Sequence, residues 1–273
     1  VQKKILSFIV PVRHPENSPD WGLLCVKLEQ AARSIAGQTD SRWSAVVVVN
    51  HGATVPVMPR GIELERVDFA PNPLYERGTS SLDEFREAVR LDKGKRILAG
   101  LLACAPSEYV MIVDDDDLIS CRLTEFAASR ADSNGWFFQH GHVWQDGGRW
   151  TYVHDDFSRF CGTSHIIRRG LLGLPSSIET AEPDYIKRRL GSHVYIKEDL
   201  EHLGFALDPL PFPGSIYRVG HAGAHSGSPG LMRQLLFSRD ALTHPRRTCR
   251  RLLSMRKIDD RLRREFFGTP SSS

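Results

Sequence analysis

The sequence predicts an α/β protein: a three-layer α/β/α sandwich around a mostly parallel, mixed central sheet, followed by a C-terminal helical tail. Three observations carry this prediction. Short apolar runs alternate with stretches of helical periodicity through the first half of the chain, the pattern of a sheet covered by helices on both faces. The runs at 44–49 and 109–113 are apolar without alternation, as in strands buried on both sides. Three predicted strands end in polar or charged segments, at 11–14, 50–52 and 114–117, where open α/β sheets bind their ligands.

The elements follow in order. Residues 5–12 form a short apolar run broken by Pro11 and read as the first strand. Asp20 caps a helix over 22–36, with Leu23, Leu24, Val26, Leu28, Ala31, Ala32 and Ile35 as its apolar positions and Gly37 as its stop. Residues 44–49 and 62–69 read as the second and third strands, the latter alternating and half-exposed. Ser81 or Asp83 opens a long helix to Cys104, with an interruption expected at Lys93-Gly94. A fourth strand at 109–113 ends in four aspartates, and a helix over 122–131 follows. Residues 135–144 read as a single aromatic-rich strand that turns at Asp146-Gly147-Gly148 into a strand at 149–154. Two short helices are expected at 183–190 and 194–203, with Gly204 capping the second, and a last strand at 215–219.

The chain has 273 residues, enough for one large domain with a proper core. A net charge of +3 is too mild to argue for nucleic acid as a partner. The cysteines stand at 25, 104, 121, 161 and 249, an odd number with no CxxC spacing. Reduced thiols and a cytoplasmic location are the simplest reading of that pattern. No apolar stretch approaches the roughly 18 residues that span a bilayer.

Asp114, Asp115, Asp116 and Asp117 are consecutive and follow a buried strand. Carboxylates held this close repel one another unless a counter-charge is present. A divalent cation supplies one, and hard oxygen donors suit Mg²⁺ or Mn²⁺ held between one or two carboxylates and substrate phosphates.

Five segments then resemble, in order and spacing, the family 2-type glycosyltransferases of the GT-A fold. Ser7-Phe8-Ile9-Val10-Pro11-Val12 is similar to their opening strand, and Ser34-Ile35 with Gln38-Thr39 to the end of their first helix. Val49-Asn50-His51-Gly52-Ala53-Thr54 resembles their Val-Asp-Asp-Gly-Ser-Thr turn. Gly94, Arg96 and Ala99-Gly100-Leu101 resemble the helix before the metal strand, and Val113 to Leu118 their Leu-Asp-x-Asp-Asp segment. More loosely, Phe160-Cys161-Gly162-Thr163-Ser164 with Arg168-Arg169 resembles a Gly-rich segment before a helix start, and 211–218 a final strand.

The resemblance implies a GT-A-like catalytic domain over 1–230 and a basic helical extension over 231–273. It implies a metal-dependent, inverting transfer from a nucleotide-sugar, with UDP-sugar as the expected donor, to a glycan or lipid-linked acceptor in bacterial surface-polysaccharide assembly. It places Pro11, Val12, Arg13 and Asn50 around the nucleotide, although Asn50 stands where the family usually has Asp. Lys93, Lys95 or Arg96 is expected to reach the diphosphate. Asp114 and Asp116 form the DxD pair, with Asp116 as the direct metal ligand and Asp114 at the ribose or bridging to the metal. Asp115 lies on the nucleotide-sugar side, chiefly as a spacer, and Asp117 supports from behind or faces the acceptor. His225, and after it His221, are expected to complete the metal sphere from the glycine-rich loop after the last strand. Glu179, Glu182 and Asp184 are the candidates for the general base, Asp184 first and Glu182 second, with Glu198-Asp199 as a second acidic pair. Trp144 and Trp150, with His193, are expected on the acceptor side. A sugar-nucleotidyltransferase and a non-catalytic nucleotide-sugar-binding domain are the competing readings; the first lacks support, because no Gly-rich loop follows strand one.

From Arg233 to Arg264 the chain is strongly basic, with leucines interleaved at helical spacing. A basic amphipathic helix of this kind suits peripheral contact with the inner face of a cell membrane.

Overall fold

The structure is a computed structural model and describes residues 3–75, 81–130, 132–220 and 243–268. β1 (Lys4–Pro11) is followed by α1 (Trp21–Ala36), whose first turn is closed by Asp20 Oδ1 accepting from the Leu23 N–H at 2.8 Å. β2 (Trp43–Asn50) and β3 (Ile62–Val67) come next. α2 (Leu82–Ala103) starts with a reciprocal capping box between Ser81 and Glu84. β4 (Ser107–Ile112) leads into the aspartates, then β5 (Leu118–Ile119) and α3 (Leu123–Ala128). After these come β6 (Gly135–Phe137), β7 (Gly141–Gln145), β8 (Trp150–His154), α4 (Phe157–Phe160) and β9 (His165–Arg168). α5 (Pro183–Tyr185) runs into a π-helical turn, Ile186–Leu190, and α6 (His193–His202) follows. The described chain closes with β10 (Asp208–Pro209), β11 (Ser215–Val219), α7 (Pro245–Leu253), β12 (Arg256–Lys257) and α8 (Asp260–Phe266).

A seven-stranded sheet in the order β10-β6-β9-β4-β1-β2-β3 forms the centre. β1, β2, β3 and β4 are mutually parallel, and β9 is antiparallel to both β4 and β6. Because side chains alternate across a strand, β1 feeds two cores. Phe8 and Val10 pack with Leu28 and Ile35 of α1, while Ile9 packs with Ile97 and Leu101 of α2 and Leu200 of α6. The sheet is thus the middle of three layers, and the α/β sandwich with a mixed sheet is what the chain forms. A second sheet, β12-β8-β7-β11-β5, extends the α1 side.

Two expectations are corrected. α2 runs without interruption through Lys93-Gly94. A Cβ on Gly94 would lie 2.4 Å from the Ile186 carbonyl oxygen, so the glycine serves the contact between α2 and the π turn rather than ending a helix. The single strand expected at 135–144 is two strands in different sheets. The chain crosses over at 138–140, where Phe138 N–H donates to Ser164 O and Gln139 O accepts from Phe157 N–H, so His140 does not share a face with His142 and Trp144. At Arg168-Arg169 the chain passes from β9 into a short 3₁₀ helix, Arg169–Leu172, so a helix does start where expected.

The boundary expected at 230 lies outside the described residues. The described part of the tail packs onto the domain: Leu262 and Phe266 are buried with Leu118, Trp144 and Ile216. Among the described residues no helix is long and apolar enough to cross a membrane.

Candidate functional site

Since β1, β2 and β4 run parallel, the segments that follow them emerge at one edge of the sheet. A cleft of about 290 Å³ opens there. Pro11 and Arg13 come from the end of β1, Lys93 and Arg96 from α2, and Asp114, Asp115 and Asp116 from the end of β4.

Each aspartate has its own setting. Asp114 Oδ1 accepts from Lys93 Nζ at 2.5 Å, and the Asp114 N–H donates to Thr163 Oγ1 at 2.9 Å. Gly162 lies against the pair: a Cβ there would sit 2.6 Å from Asp114 Oδ2 and 3.2 Å from Lys93 Nζ. Asp115 is only 6% exposed and lies 4.0 Å from Arg13 Nη2. Burial pushes its carboxyl up to about 6, with Asp116 and Asp114 acting in the same direction and Arg13 against. It lines the cleft beside the Arg13 guanidinium. Asp116 lines the cleft and interacts electrostatically with two buried cations, Lys27 of α1 and Arg218 of β11. Asp117 is fully buried and accepts from Cys161 Sγ at 3.2 Å and from the Arg218 N–H at 3.3 Å. Burial raises its carboxyl well above the usual carboxylate range, with Asp116 and Asp114 acting in the same direction. Lys93, Arg13, Lys27 and Arg218 thus stand as counter-charges beside the aspartates.

The donor set still fits a hard divalent cation. Asp114 and Asp116 both line the cleft with oxygen ligands, and Mg²⁺ is commonly held by one or two carboxylates, with water and substrate phosphate completing its sphere. Among the described residues no group of three or more His, Cys, Asp or Glu is arranged around a metal position. His221 and His225 lie outside the described residues.

The structure gathers only part of the expected set. Pro11, Arg13, Lys93, Arg96 and His193 line the cleft with the three aspartates. Val12 is fully buried in the core on the α1 side. Asn50 is 3% exposed, and both ends of its amide are used: Oδ1 accepts from Arg96 Nη1 at 2.7 Å and Nδ2 donates to Phe69 O at 2.6 Å. Arg96 is in turn forked onto Asp92. Asn50 thus braces the wall instead of presenting its amide to a base. Asp184 is exposed and ion-paired with Lys187 at 2.9 Å, and Glu182 is an exposed N-cap; neither lines the cleft. Trp144 is buried between Phe267 and Arg218, and Trp150 is exposed where β8 pairs with β12. Neither lines the cleft.

Tyr75 was not singled out. It lines the cleft with the Arg13 guanidinium 5.7 Å from its ring centroid. Thr163 and Gly162, from the Gly-rich segment singled out above, lie directly against Asp114. Lys27 did leave a signal, since a lysine occupies the apolar stripe of α1 between Leu24 and Leu28.

No protein-family model matches the sequence, and comparison with curated proteins gives no match. Solved structures similar to the chain include S. aureus TarS 1–349, at 14% identity and a TM-score of 0.45, over 78% of this chain and 60% of that one. The complex of TarS 1–349 with UDP-GlcNAc is similar at 15% identity and a TM-score of 0.45, over 82% and 61%. Rv0371C from Mycobacterium tuberculosis H37Rv, in complex with manganese, is similar at 8% identity and a TM-score of 0.36, over 80% and 91%. This chain spans about 60% of the length of TarS 1–349.

Proposed function

We propose that the chain is a metal-dependent glycosyltransferase that takes a nucleotide-sugar, with a uridine diphosphate sugar as donor. The observation that carries this reading is the pairing of Asp114 and Asp115 with Lys93 and Arg13 in one cleft at the carboxyl ends of β1 and β4. Carboxylates and cations side by side suit a ligand that brings both a diphosphate and its counter-ion. Lys93 and Arg13 meet the phosphates, and Tyr75 offers a ring face to the base. Asn50 and Asp92 hold Arg96 in the wall. Asp114 and Asp116 are the residues that would hold Mn²⁺ or Mg²⁺, and the ion would neutralise charge on the departing diphosphate.

Calorimetric titration with UDP, with and without Mn²⁺, tests the reading. Metal-enhanced binding of UDP is expected, and its metal-dependent part is lost in Asp116→Ala. Absence of binding by UDP and by other nucleoside diphosphates overturns the reading.

A further inference from the structure

Charge is unevenly shared along the chain. Residues 243–268 hold nine arginines and lysines against three acids, in a chain whose net charge is +3, so the rest of it is net negative. None of these residues lines the cleft. A basic amphipathic helix ordinarily meets a bilayer by burying its apolar stripe, but here that stripe is occupied by the domain. Leu252 of α7 packs on the main core, and Leu262 and Phe266 of α8 are buried beside Trp144 and Ile216. Arg251 is buried too and pairs with Asp155 at 3.2 Å. Arg246, Cys249, Arg250 and Leu253 are all exposed on α7. Their i, i+3, i+4, i+7 spacing puts them on one face. Leu253, 87% exposed, sits among the two arginines.

The end of α7 is fastened to β8, where the Val153 N–H donates to Ser254 Oγ at 3.0 Å. Three residues back along β8, about 10 Å away, Trp150 stands 48% exposed. Lys257 of β12 is its direct partner in the antiparallel pair. Residues opposed in this way send their side chains to the same face, so a lysine flanks the indole as the arginines flank Leu253. An indole with an apolar body and one N–H suits the headgroup level of a membrane.

We propose that the outer face of α7, together with Trp150 and Lys257, docks the protein onto an anionic lipid bilayer. Arg246, Arg250 and Lys257 meet the headgroups, and Leu253 and Trp150 reach shallowly beneath them. Charge complementarity sets the sign of the partner, since basic residues beside a membrane are drawn to its anionic lipids. The exposed leucine and indole favour a bilayer over a soluble polyanion, which offers charge but no apolar layer. The contact is made by the basic side of a helix already packed on the domain, so docking requires no unfolding of the tail.

Co-sedimentation of the full chain with vesicles tests it, comparing pure phosphatidylcholine with equal parts of phosphatidylcholine and phosphatidylglycerol. Binding to the anionic vesicles alone is expected. It should weaken about tenfold or more when Arg246→Glu and Arg250→Glu are combined. Raising salt from about 0.1 M to 1 M should weaken it likewise, as the Debye length falls from about 10 Å to about 3 Å. Trp150→Ala with Leu253→Ser leaves the charge unchanged and should weaken binding about threefold or more. All four positions are exposed, so the melting midpoint should stay in place, and the salt series needs no variant. Absence of binding to the anionic vesicles, or equal binding by the charge-reversed chain, overturns the proposal. Heparin serves as the soluble polyanion. Heparin binding that is lost on charge reversal, with vesicle binding indifferent to Trp150→Ala and Leu253→Ser, assigns the face to a polyanion and overturns the bilayer. Neither result depends on whether UDP binds the cleft.

Discussion

Lys93 Nζ reaches across from α2 to within 2.5 Å of Asp114 Oδ1 at the end of β4. The pair joins the helix and the strand that form the two sides of the cleft, and places a cation beside the carboxylate expected to work with phosphate and metal.

Removing that cation without removing its bulk isolates its contribution. Lys93→Met is expected to weaken UDP binding by about tenfold or more, the range for a charged hydrogen bond. Calorimetry checks it, and an unchanged affinity would separate Lys93 from the diphosphate.

Gly94 should not tolerate a methyl group. Its Cβ would meet the Ile186 carbonyl oxygen at 2.4 Å and Ile186 Cγ2 at 2.6 Å, inside a continuous helix. Gly94→Ala is therefore expected to lower stability by about 1–3 kcal/mol, despite the higher helix propensity of alanine. Thermal melting reads this directly, and a stabilised variant would contradict the packing described for α2.

Acid should destabilise the fold through its buried histidines. His142 accepts from Arg256 Nη2, and burial pushes its titration from 6.5 down to about 3, with Arg256 adding to the effect. In the unfolded chain it takes up a proton near 6.5, so between that pH and about 3 the unfolded state binds more protons. Its contribution to stability is thus complete above 6.5 and falls with acidification, by up to about 1.4 kcal/mol per pH unit; His165 acts in the same sense. Urea unfolding at a series of pH values should show a shallower acid loss in His142→Phe than in the parent chain.

The tail is expected to behave as part of the domain. Phe266 is 1% exposed and stacks edge-on against His142. Phe266→Ala should cost about 3–5 kcal/mol. A denaturation midpoint that stays in place would mean that residues 260–266 are separable from the domain.

Much of the central sheet was legible because its strands are the chain's longest apolar runs and its helices carry capping residues. β1, β2 and β4, Asp20 at the start of α1 and Ser81 at the start of α2 could all be read from local chemistry. The crossover at 138–140 could not, since both halves of that run are apolar and only pairing with Ser164 and Phe157 divides them. The cleft was legible where the chain emerges from strand ends, at Arg13 and at the aspartates. Its lining by Tyr75 and Tyr217 was not, because these residues come from segments distant in sequence. Asn50 shows the limit in another way. Its position at a strand end was read correctly, but its partners Arg96 and Phe69 are set by packing alone.

The backbone just beyond the aspartates is tied down from both directions. Ser34 Oγ accepts from the Ile119 N–H, and Gln38 donates to Ser120 O. On the other side, Glu265 of α8 takes the Ser120 hydroxyl at 2.9 Å through its carboxylate and the Cys121 N–H through its carbonyl. A tag, fusion or binding partner that pries α8 loose would thus tug on the chain three residues past Asp117. Handling of the C-terminal segment becomes a variable in any assay of the cleft, and a lever for loosening it from a distance.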